Sequence, residues 1–161
     1  MTFAGHKTLC LAGASATSGP VGRDMENTLT LRDNSCNILV MEDDYIVALD
    51  LCAHLESLGV TVIGPSGKVS AGLELAQNAV SLQGALLDVN ISGQTVFPVA
   101  DALIQRNIPI TFVTAYDMSM LPAAYRHFPR IDKPMDPAEV SRAIETMCAQ
   151  SLPLASAQLA G

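Results

Sequence analysis

Residues 37–44 have the sequence NILVMEDD, in which an apolar run is followed directly by three carboxylates. The apolar run 38–41 is typical of a strand that is buried on both faces of a parallel sheet. Asp44 is predicted to cap the helix that follows this strand. Glu42 and Asp43 therefore lie between a strand and a helix, at the edge of an open α/β sheet where ligands bind.

The pattern of an apolar run closed by a polar residue occurs twice more in the chain. Residues 85–88 read ALLD and residues 110–114 read ITFVT, so Asp88 and Thr114 each follow a predicted strand. The other predicted elements are strands over 60–63 and near 130–132, and helices over 45–58, 69–79, 96–106 and from Asp136 onward. Strands that alternate with helices at short spacing predict a doubly wound α/β fold, in which helices cover both faces of a parallel sheet.

Length and composition indicate one folded domain. Of the 161 residues, 49% are hydrophobic and 16% are charged, which is typical of a protein with a packed core. We expect a domain over residues 36–150, with a flexible tail over 1–35 and a short tail over 151–161. The net charge of −7 and the low aromatic content of 4%, without tryptophan, argue against direct binding of DNA or RNA.

The cysteines and the hydropathy favour a cytoplasmic protein. Cys10, Cys36, Cys52 and Cys148 show no CxxC spacing, so reduced thiols are expected rather than zinc or a disulfide framework. No run reaches the roughly 18 apolar residues that a membrane span requires. The apolar part of the N-terminus is also shorter than the roughly 7–15 residues of a secretory signal. We therefore expect no membrane segment.

The order of the polar sites along the chain is a stronger indicator than any one of them. The sites are the acidic cluster after the first strand, Asp88 after the third, Thr114 after the fourth and Lys133-Pro134 after the fifth. From about Asn37 to Met147 this arrangement resembles the receiver domain of two-component response regulators, the CheY-like family. The resemblance implies a flavodoxin-like sheet of five parallel strands in the order 2-1-3-4-5.

The resemblance implies that Asp88 is the phosphoacceptor. Lys133, the Thr114 hydroxyl and the backbone N–H of Ala115 are then expected to bind the oxygens of the phosphoryl group. Phosphoryl transfer needs alignment and charge neutralisation more than covalent chemistry from the protein, and these residue types supply both.

The resemblance also implies a Mg²⁺ site, in which Mn²⁺ can replace Mg²⁺. Asp43 and Asp88 are expected to bind the cation directly, Asn90 through its backbone carbonyl, and Glu42 through water. Charge favours this assignment, because two carboxylates 4 Å apart repel by about 4 kcal/mol at an effective dielectric of 20 unless a cation neutralises them. Mg²⁺ prefers hard oxygen ligands of this kind.

The function implied by the resemblance is that of a single-domain response regulator. Such a protein accepts a phosphoryl group from a histidine kinase or a histidine phosphotransfer protein, and it is not an enzyme beyond its own phosphorylation and dephosphorylation. The residues after Met147 are too few for an output domain. We therefore expect the signal to pass by contact with a downstream protein or by phosphorelay, from a monomer or weak dimer.

Several positions depart from the usual receiver pattern. Ser92 takes the place of a proline found in many receivers, and Arg130 takes the place of an aromatic residue three positions before the lysine. Pro122 and Pro129 interrupt the segment before the last strand, which predicts a short or irregular fourth helix. Because no ring is present to respond to phosphorylation, the segment over 116–128 is expected to respond instead.

A subgroup of the family is also suggested. Single-domain regulators of alphaproteobacteria carry a PFxFATG motif, which Pro109, Phe112, Thr114 and Tyr116 resemble. Val113, Ala115 and Asp117 depart from that motif.

Two other functions remain open from the sequence. A pseudo-receiver would have the same fold and bind a partner without being phosphorylated, which the missing aromatic residue permits. A phosphatase of the haloacid dehalogenase type would use Asp88 as its nucleophile, but it needs a second acid where Asn90 stands. Residues 64–68, GPSGK, lack the spacing of a nucleotide-binding phosphate loop and are predicted to form a turn.

Overall fold

The computed structural model of the protein describes residues 36–117 and 120–150. The predicted tails over 1–35 and 151–161 lie outside these residues, as does Met118 in the segment over 116–128. The described strands are β1 (Asn37–Met41), β2 (Thr61–Ser66), β3 (Gly84–Asp88), β4 (Asn90–Ile91), β5 (Gln94–Thr95), β6 (Ile110–Thr114) and β7 (Arg130–Asp132). Five of them form a parallel sheet in the spatial order β2-β1-β3-β6-β7, which confirms the predicted order 2-1-3-4-5.

Four α-helices connect or follow these strands. They are α1 (Tyr45–Ser57), α2 (Val69–Asn78), α3 (Phe97–Gln105) and α4 (Pro137–Gln150). Helix α1 begins where the sequence predicted, because Asp44 Oδ1 accepts hydrogen bonds from the N–H groups of Ile46 at 2.8 Å and Val47 at 3.1 Å. In the described part of the chain, no helix is long and apolar enough to cross a membrane.

The helices pack on both faces of the sheet, as predicted for a doubly wound fold. Successive strand residues point to opposite faces. On one face, Leu87 and Phe112 belong to a cluster that includes residues of α2 and α3. On the other face, Leu86 and Val113 pack in a cluster with residues of α1 and α4. Strands β3 and β6 are buried along their whole length, so exposed polar groups can gather only at the strand ends.

Two irregular segments follow β3 and β6. The chain leaves β3 through a short hairpin of β4 and β5, in which Asn90 pairs with Thr95. The predicted short fourth helix is a single 3₁₀ turn over Ala123–Tyr125. Pro122 and Pro129 lie on either side of this turn, and proline cannot continue a helix because it lacks the N–H donor.

Strand β2 is longer than predicted and reaches the edge of the sheet. It continues past residue 63 through Gly64-Pro65 to Ser66. Gly64 has a φ of +105°, and a Cβ at this position would lie 2.9 Å from the carbonyl oxygen of Val40. Only glycine fits there without strain, and the extra residues bring Ser66 beside the end of β1.

The expectation of reduced cysteines is wrong for Cys36 and Cys148. These residues form a disulfide, with Cα atoms 5.7 Å apart, which joins the residue before β1 to the end of α4. They are 112 positions apart in the sequence, so no short motif indicates the pair. Cys52 is a free thiol on α1, and Cys10 lies outside the described residues.

Candidate functional site

Three carboxylates meet at the carboxyl edge of the sheet. Glu42 and Asp43 follow β1, and Asp88 ends the neighbouring strand β3. One carboxylate oxygen of each residue lies within 4.8 Å of the other two. Glu42 and Asp88 are 4% and 8% exposed, whereas Asp43 is open to solvent. The structure therefore brings together the acidic residues that the sequence predicted to be neighbours.

The ammonium group of Lys133 lies between two of these carboxylates. Its Nζ donates to Glu42 Oε2 and to Asp88 Oδ2, each at 2.7 Å. Lys133 follows β7, so its side chain reaches past β6 to the acidic cluster. The Lys133-Pro134 peptide bond is cis. With every group ionised, three carboxylates face one ammonium, and the cluster retains an excess of negative charge.

Burial and ion pairing shift the pKa values of Glu42 and Lys133. Burial raises the pKa of the Glu42 carboxyl above its ordinary value of 4.5, although the hydrogen bond and charge of Lys133 act in the opposite direction. Burial alone would lower the pKa of Lys133, but its hydrogen bonds to Asp88 and Glu42 outweigh that effect and raise the pKa above 10.5. Lys133 is therefore a firmly charged ammonium at neutral pH.

Asp43 is held by the hairpin that follows β3. Its Oδ2 accepts hydrogen bonds from the backbone N–H of Ser92 at 2.8 Å and from the Ser92 hydroxyl at 3.1 Å. The sequence marked Ser92 only as a replacement for proline and did not indicate this contact. Because Asp43 follows β1 whereas Asp88 ends β3, the Ser92 contact joins the two halves of the acidic cluster.

The remaining predicted residues lie along the same edge. Thr114 is fully buried at the end of β6, and its Oγ1 accepts a hydrogen bond from the N–H of Tyr116 at 3.0 Å. Ala115 follows it and is exposed. The Asn90 N–H donates to Asp88 Oδ1 at 3.3 Å. Both oxygens of Asp88 thus have hydrogen-bond donors, one from a backbone N–H and one from the Lys133 ammonium.

Residues 64–68 support the site, although they contain no phosphate-loop motif. The Glu42 N–H donates to the carbonyl oxygen of Ser66 at 3.1 Å, which fixes the backbone where β1 leaves the sheet. A Cβ on Gly67 would lie 3.2 Å from the Cα of Asp43, so glycine at this position lets the two backbones approach closely. Gly64 and Gly67 are the sequence feature that could have indicated this close approach of the backbones.

Arg130 has a partner that the sequence did not indicate. Its Nη1 donates to the backbone carbonyl of Tyr116 at 3.3 Å. Its Nε lies 2.8 Å from Asp132 Oδ1, and its Nη2 lies 3.2 Å from Asp132 Oδ2. The guanidinium therefore connects β7 to the chain that leaves β6.

The arrangement has the donors for a divalent cation and for an anion. Three carboxylates supply hard oxygen ligands, which suit Mg²⁺. The neighbouring strands β6 and β7 lead to three further groups, which are the buried Thr114 hydroxyl, the exposed residue Ala115 and the Lys133 ammonium. Sites that combine these groups stabilise the transfer of a phosphoryl group by alignment and charge.

A curated protein shows similarity to this chain. The phyllosphere-induced regulator PhyR of Methylorubrum extorquens is 32% identical over 116 residues, which cover 70% of this chain and 43% of PhyR. The chain therefore spans less than half the length of that relative. No family model matches the chain.

Solved structures are similar over nearly their whole length. SdrG from Sphingomonas melonis Fr1 is 30% identical with a TM-score of 0.62, and the match covers 71% of this chain and 97% of SdrG. A BeF3-activated conformation of SdrG is also 30% identical, with a TM-score of 0.59 over 70% of this chain and 95% of that chain. The signal receiver domain of a modulated diguanylate cyclase from Desulfovibrio desulfuricans G20 is 25% identical, with a TM-score of 0.62 over 72% of this chain and 95% of that domain.

The chain belongs to the receiver family of response regulators, the CheY-like domains of two-component systems. The strand order and the acidic edge of the sheet agree with this membership.

Proposed function

We propose that this chain receives a phosphoryl group on Asp88 from a histidine kinase or a histidine phosphotransfer protein. The observation that carries the proposal is the setting of the Asp88 carboxylate. It ends β3 at the edge of the sheet, 8% exposed, with the Lys133 ammonium 2.7 Å from Oδ2. A carboxylate can attack phosphorus directly, and the adjacent ammonium can neutralise charge on the incoming group.

The proposed transfer breaks one bond and forms another. An Asp88 oxygen bonds to phosphorus while the bond from phosphorus to the imidazole nitrogen of the donor breaks. The electron pair of that bond stays on the nitrogen, the imidazole takes up a proton from water, and Asp88 becomes an acyl phosphate. Lys133, the Thr114 hydroxyl and the Ala115 N–H are the proposed donors to the phosphoryl oxygens, because all three lie at the same edge of the sheet as Asp88.

The proposal includes a divalent cation, Mg²⁺ or Mn²⁺. The oxygen donors fit Mg²⁺, since Asp43 and Asp88 can ligate directly, Asn90 through its backbone carbonyl and Glu42 through water. Such a cation, when bound, neutralises the repulsion between the carboxylates and an approaching phosphoryl group. Lys133 alone leaves that repulsion only partly compensated.

The output is proposed to be a contact with a downstream protein or onward transfer of the phosphoryl group, in the cytoplasm. The similarity to SdrG supports a conformational response, because SdrG has been solved in a conformation named as BeF3-activated. Beryllofluoride on an aspartate has the charge and shape of a phosphoryl group. Since the chain covers 43% of PhyR, no activity of that longer protein is carried over.

One alternative is a pseudo-receiver that binds a partner without phosphorylation. Arg130 favours this alternative, because the aromatic residue that usually responds to phosphorylation is replaced. The pairing of Lys133 with Asp88 and the clustering of three carboxylates support the phosphoacceptor more strongly, since a binding module has no need of an acidic cluster with uncompensated charge.

Intact mass spectrometry tests the proposal. The protein is incubated with acetyl phosphate or phosphoramidate and Mg²⁺, and we expect one adduct of about 80 Da, the mass of a phosphoryl group. Asp88→Asn should abolish the adduct, and excess EDTA should abolish it in the wild type. Asp50→Asn, an exposed carboxylate on α1, is the matched control and should be labelled like the wild type.

Two outcomes would contradict the proposal. Undiminished labelling of Asp88→Asn would place the acceptor elsewhere. The absence of an adduct on the wild type with both donors and Mg²⁺ would favour the pseudo-receiver.

A further inference from the structure

The peptide backbone at Tyr116 is held from both sides. Its N–H donates to the Thr114 hydroxyl at 3.0 Å, and its carbonyl accepts from Arg130 Nη1 at 3.3 Å. Thr114 is fully buried, and the side chain of Arg130 is 21% exposed. We call this pair of contacts the Tyr116 clasp.

The two sides of the clasp belong to neighbouring strands. Thr114 ends β6 and stands in register with Asp132 of β7. Asp132 in turn orients Arg130 through two contacts, at 2.8 Å to Nε and 3.2 Å to Nη2. A guanidinium held in such a fork has a fixed direction, so its third nitrogen, Nη1, is directed at the Tyr116 carbonyl.

The chain beyond the clasp presents apolar groups to solvent between buried anchors. Tyr116 is 39% exposed and Met120 is 67% exposed. Leu121 is then buried in the core, and the Tyr125 ring stacks on Phe97 with centroids 4.3 Å apart. A change in backbone direction at Tyr116 is therefore expected to move the exposed side chains of Tyr116 and Met120, whereas Leu121 remains anchored in the core.

We propose that Arg130 is a positioning residue that, with Thr114, couples the state of Asp88 to the exposed residues Tyr116 and Met120. The inference rests on the proposed function, in which Thr114 donates its hydroxyl to a phosphoryl oxygen. When the hydroxyl moves towards the phosphoryl group, the N–H side of the clasp changes while Arg130 keeps the carbonyl side fixed. The peptide unit between Ala115 and Tyr116, which carries this N–H, then turns relative to the unit that carries the Tyr116 carbonyl, and the side chains of Tyr116 and Met120 change position.

This arrangement replaces the aromatic response that the sequence lacks. A ring can respond by moving between an exposed and a buried position. A guanidinium paired with Asp132 responds differently, because it holds the carbonyl on one side of the Tyr116 Cα atom while the N–H on the other side moves. The direction of the response is therefore set by a backbone hydrogen bond and not by side-chain packing.

Amide hydrogen exchange with and without beryllofluoride and Mg²⁺ tests the coupling. In the wild type, the exchange rate of the Tyr116 amide should change on addition of beryllofluoride by about fivefold or more, the effect of weakening one hydrogen bond. In Arg130→Ala, the segment over 116–121 should exchange faster before beryllofluoride is added, and the change on addition should shrink. Arg130→Lys, which can donate to the Tyr116 carbonyl, should restore part of the response. Arg142→Ala, an exposed arginine on α4, is the control and should behave like the wild type.

Binding of beryllofluoride is measured separately by fluorine NMR. A bound signal in the wild type that is lost in Asp88→Asn supports the proposed function, and its absence in the wild type would contradict that function. A bound signal with unchanged exchange at Tyr116 would overturn the clasp alone. An Arg130→Ala variant that binds beryllofluoride and responds as fully as the wild type would also overturn it.

Discussion

Ser92 donates two hydrogen bonds to one oxygen of Asp43, from its backbone N–H at 2.8 Å and from its hydroxyl at 3.1 Å. The proline common at this position in receivers could supply neither bond, since it has no N–H and no hydroxyl. Ser92 also has a φ of +51°, a left-handed conformation that proline cannot adopt. A predicted cation ligand is thus engaged by the β4–β5 hairpin, and a cation that binds this oxygen competes with two donors.

Ser92→Ala should increase the affinity for Mg²⁺ about two- to fivefold. The alanine keeps the N–H that orients Asp43 but removes the competing hydroxyl, a contact with a net value of about 0.5–1 kcal/mol. Isothermal titration calorimetry is the measurement, because the chain has no tryptophan to report binding by fluorescence. Asp43→Ala should weaken Mg²⁺ binding strongly in the same assay. A Ser92→Ala variant that binds Mg²⁺ more weakly than the wild type would contradict a competition between the Ser92 hydroxyl and the cation for Asp43.

Glu42→Gln should stabilise the protein increasingly as the pH rises from about 4 towards neutrality. Burial raises the pKa of Glu42 in the folded state above 4.5, so the folded state holds this proton more tightly than the unfolded state. The resulting stability is fully present below pH 4.5 and is lost as the pH rises through the raised pKa. Glutamine cannot titrate, so the variant does not lose this stability as the pH rises.

Urea unfolding followed by circular dichroism, in EDTA, measures this difference across the pH range. Glu139→Gln on α4 is the matched control, because this carboxylate is exposed and its replacement should give no such pH-dependent gain. A Glu42→Gln variant whose advantage shrinks as the pH rises would show that the Lys133 ion pair, and not burial, dominates at Glu42.

The sequence predicted β1, β3 and β6 well because each of these strands is mainly an apolar run. The run over 38–41 and the capping by Asp44 specify a buried strand and a helix from local chemistry alone. The structure brings the acidic residues predicted for the site together for the same reason, since Glu42 and Asp43 follow β1 and Asp88 ends β3. What the sequence did not indicate depends on contacts between distant segments, such as the bonds from Ser92 to Asp43 and from Arg130 to Tyr116.

The error in the cysteines has the same origin. Spacing rules detect cysteines that are close in sequence, whereas Cys36 and Cys148 meet because α4 returns across the sheet to the start of β1. The length of β2 was missed because Gly64-Pro65 is usually a sign that a strand has ended. In this protein the positive φ of Gly64 lets β2 continue past a shift in its register with β1, which lies between Leu39 and Met41.

In protein purified without reductant and then denatured, Cys52 should be alkylated, whereas Cys36 and Cys148 should be protected. These two cysteines are paired in a disulfide, and Cys52 is a free thiol. Because the disulfide closes a loop of 112 residues, its reduction should lower the free energy of unfolding by about 2–4 kcal/mol. Mass spectrometry after alkylation gives the thiol count, and thermal unfolding with and without reductant gives the stability.

Cys36→Ser provides the control for the disulfide. In reductant it should match the reduced wild type, whereas without reductant it should be less stable than the oxidised wild type. Four alkylated cysteines in protein kept free of reductant would contradict the pairing. Because disulfides are rare in the reducing cytoplasm, the same comparison measures how far stability depends on the redox compartment.

Tyr125 should titrate well above the ordinary pKa of a tyrosine hydroxyl. Burial, and then the hydrogen bond and charge of Asp101, raise the pKa of Tyr125 from 10.0 to about 12. The hydroxyl donates to Asp101 Oδ1 at 2.8 Å, and this contact anchors the 3₁₀ turn over Ala123–Tyr125 to α3. The chain has three tyrosines and no tryptophan, so the ultraviolet absorbance of tyrosinate resolves the late titration without interference.

Asp101→Asn should lower the pKa of Tyr125 without returning it to 10, because the amide removes the charge but burial remains. Since the folded state holds the Tyr125 proton more tightly, the stability from this group is present below pH 10 and is lost as the pH rises towards 12. Between pH 10 and pH 12, the Asp101→Asn variant should therefore lose less stability than the wild type. Asp50→Asn on α1 changes the net charge equally and should leave the late titration intact. If the folded wild type showed no tyrosine titration near pH 12, the anchor between Tyr125 and Asp101 would be disproved.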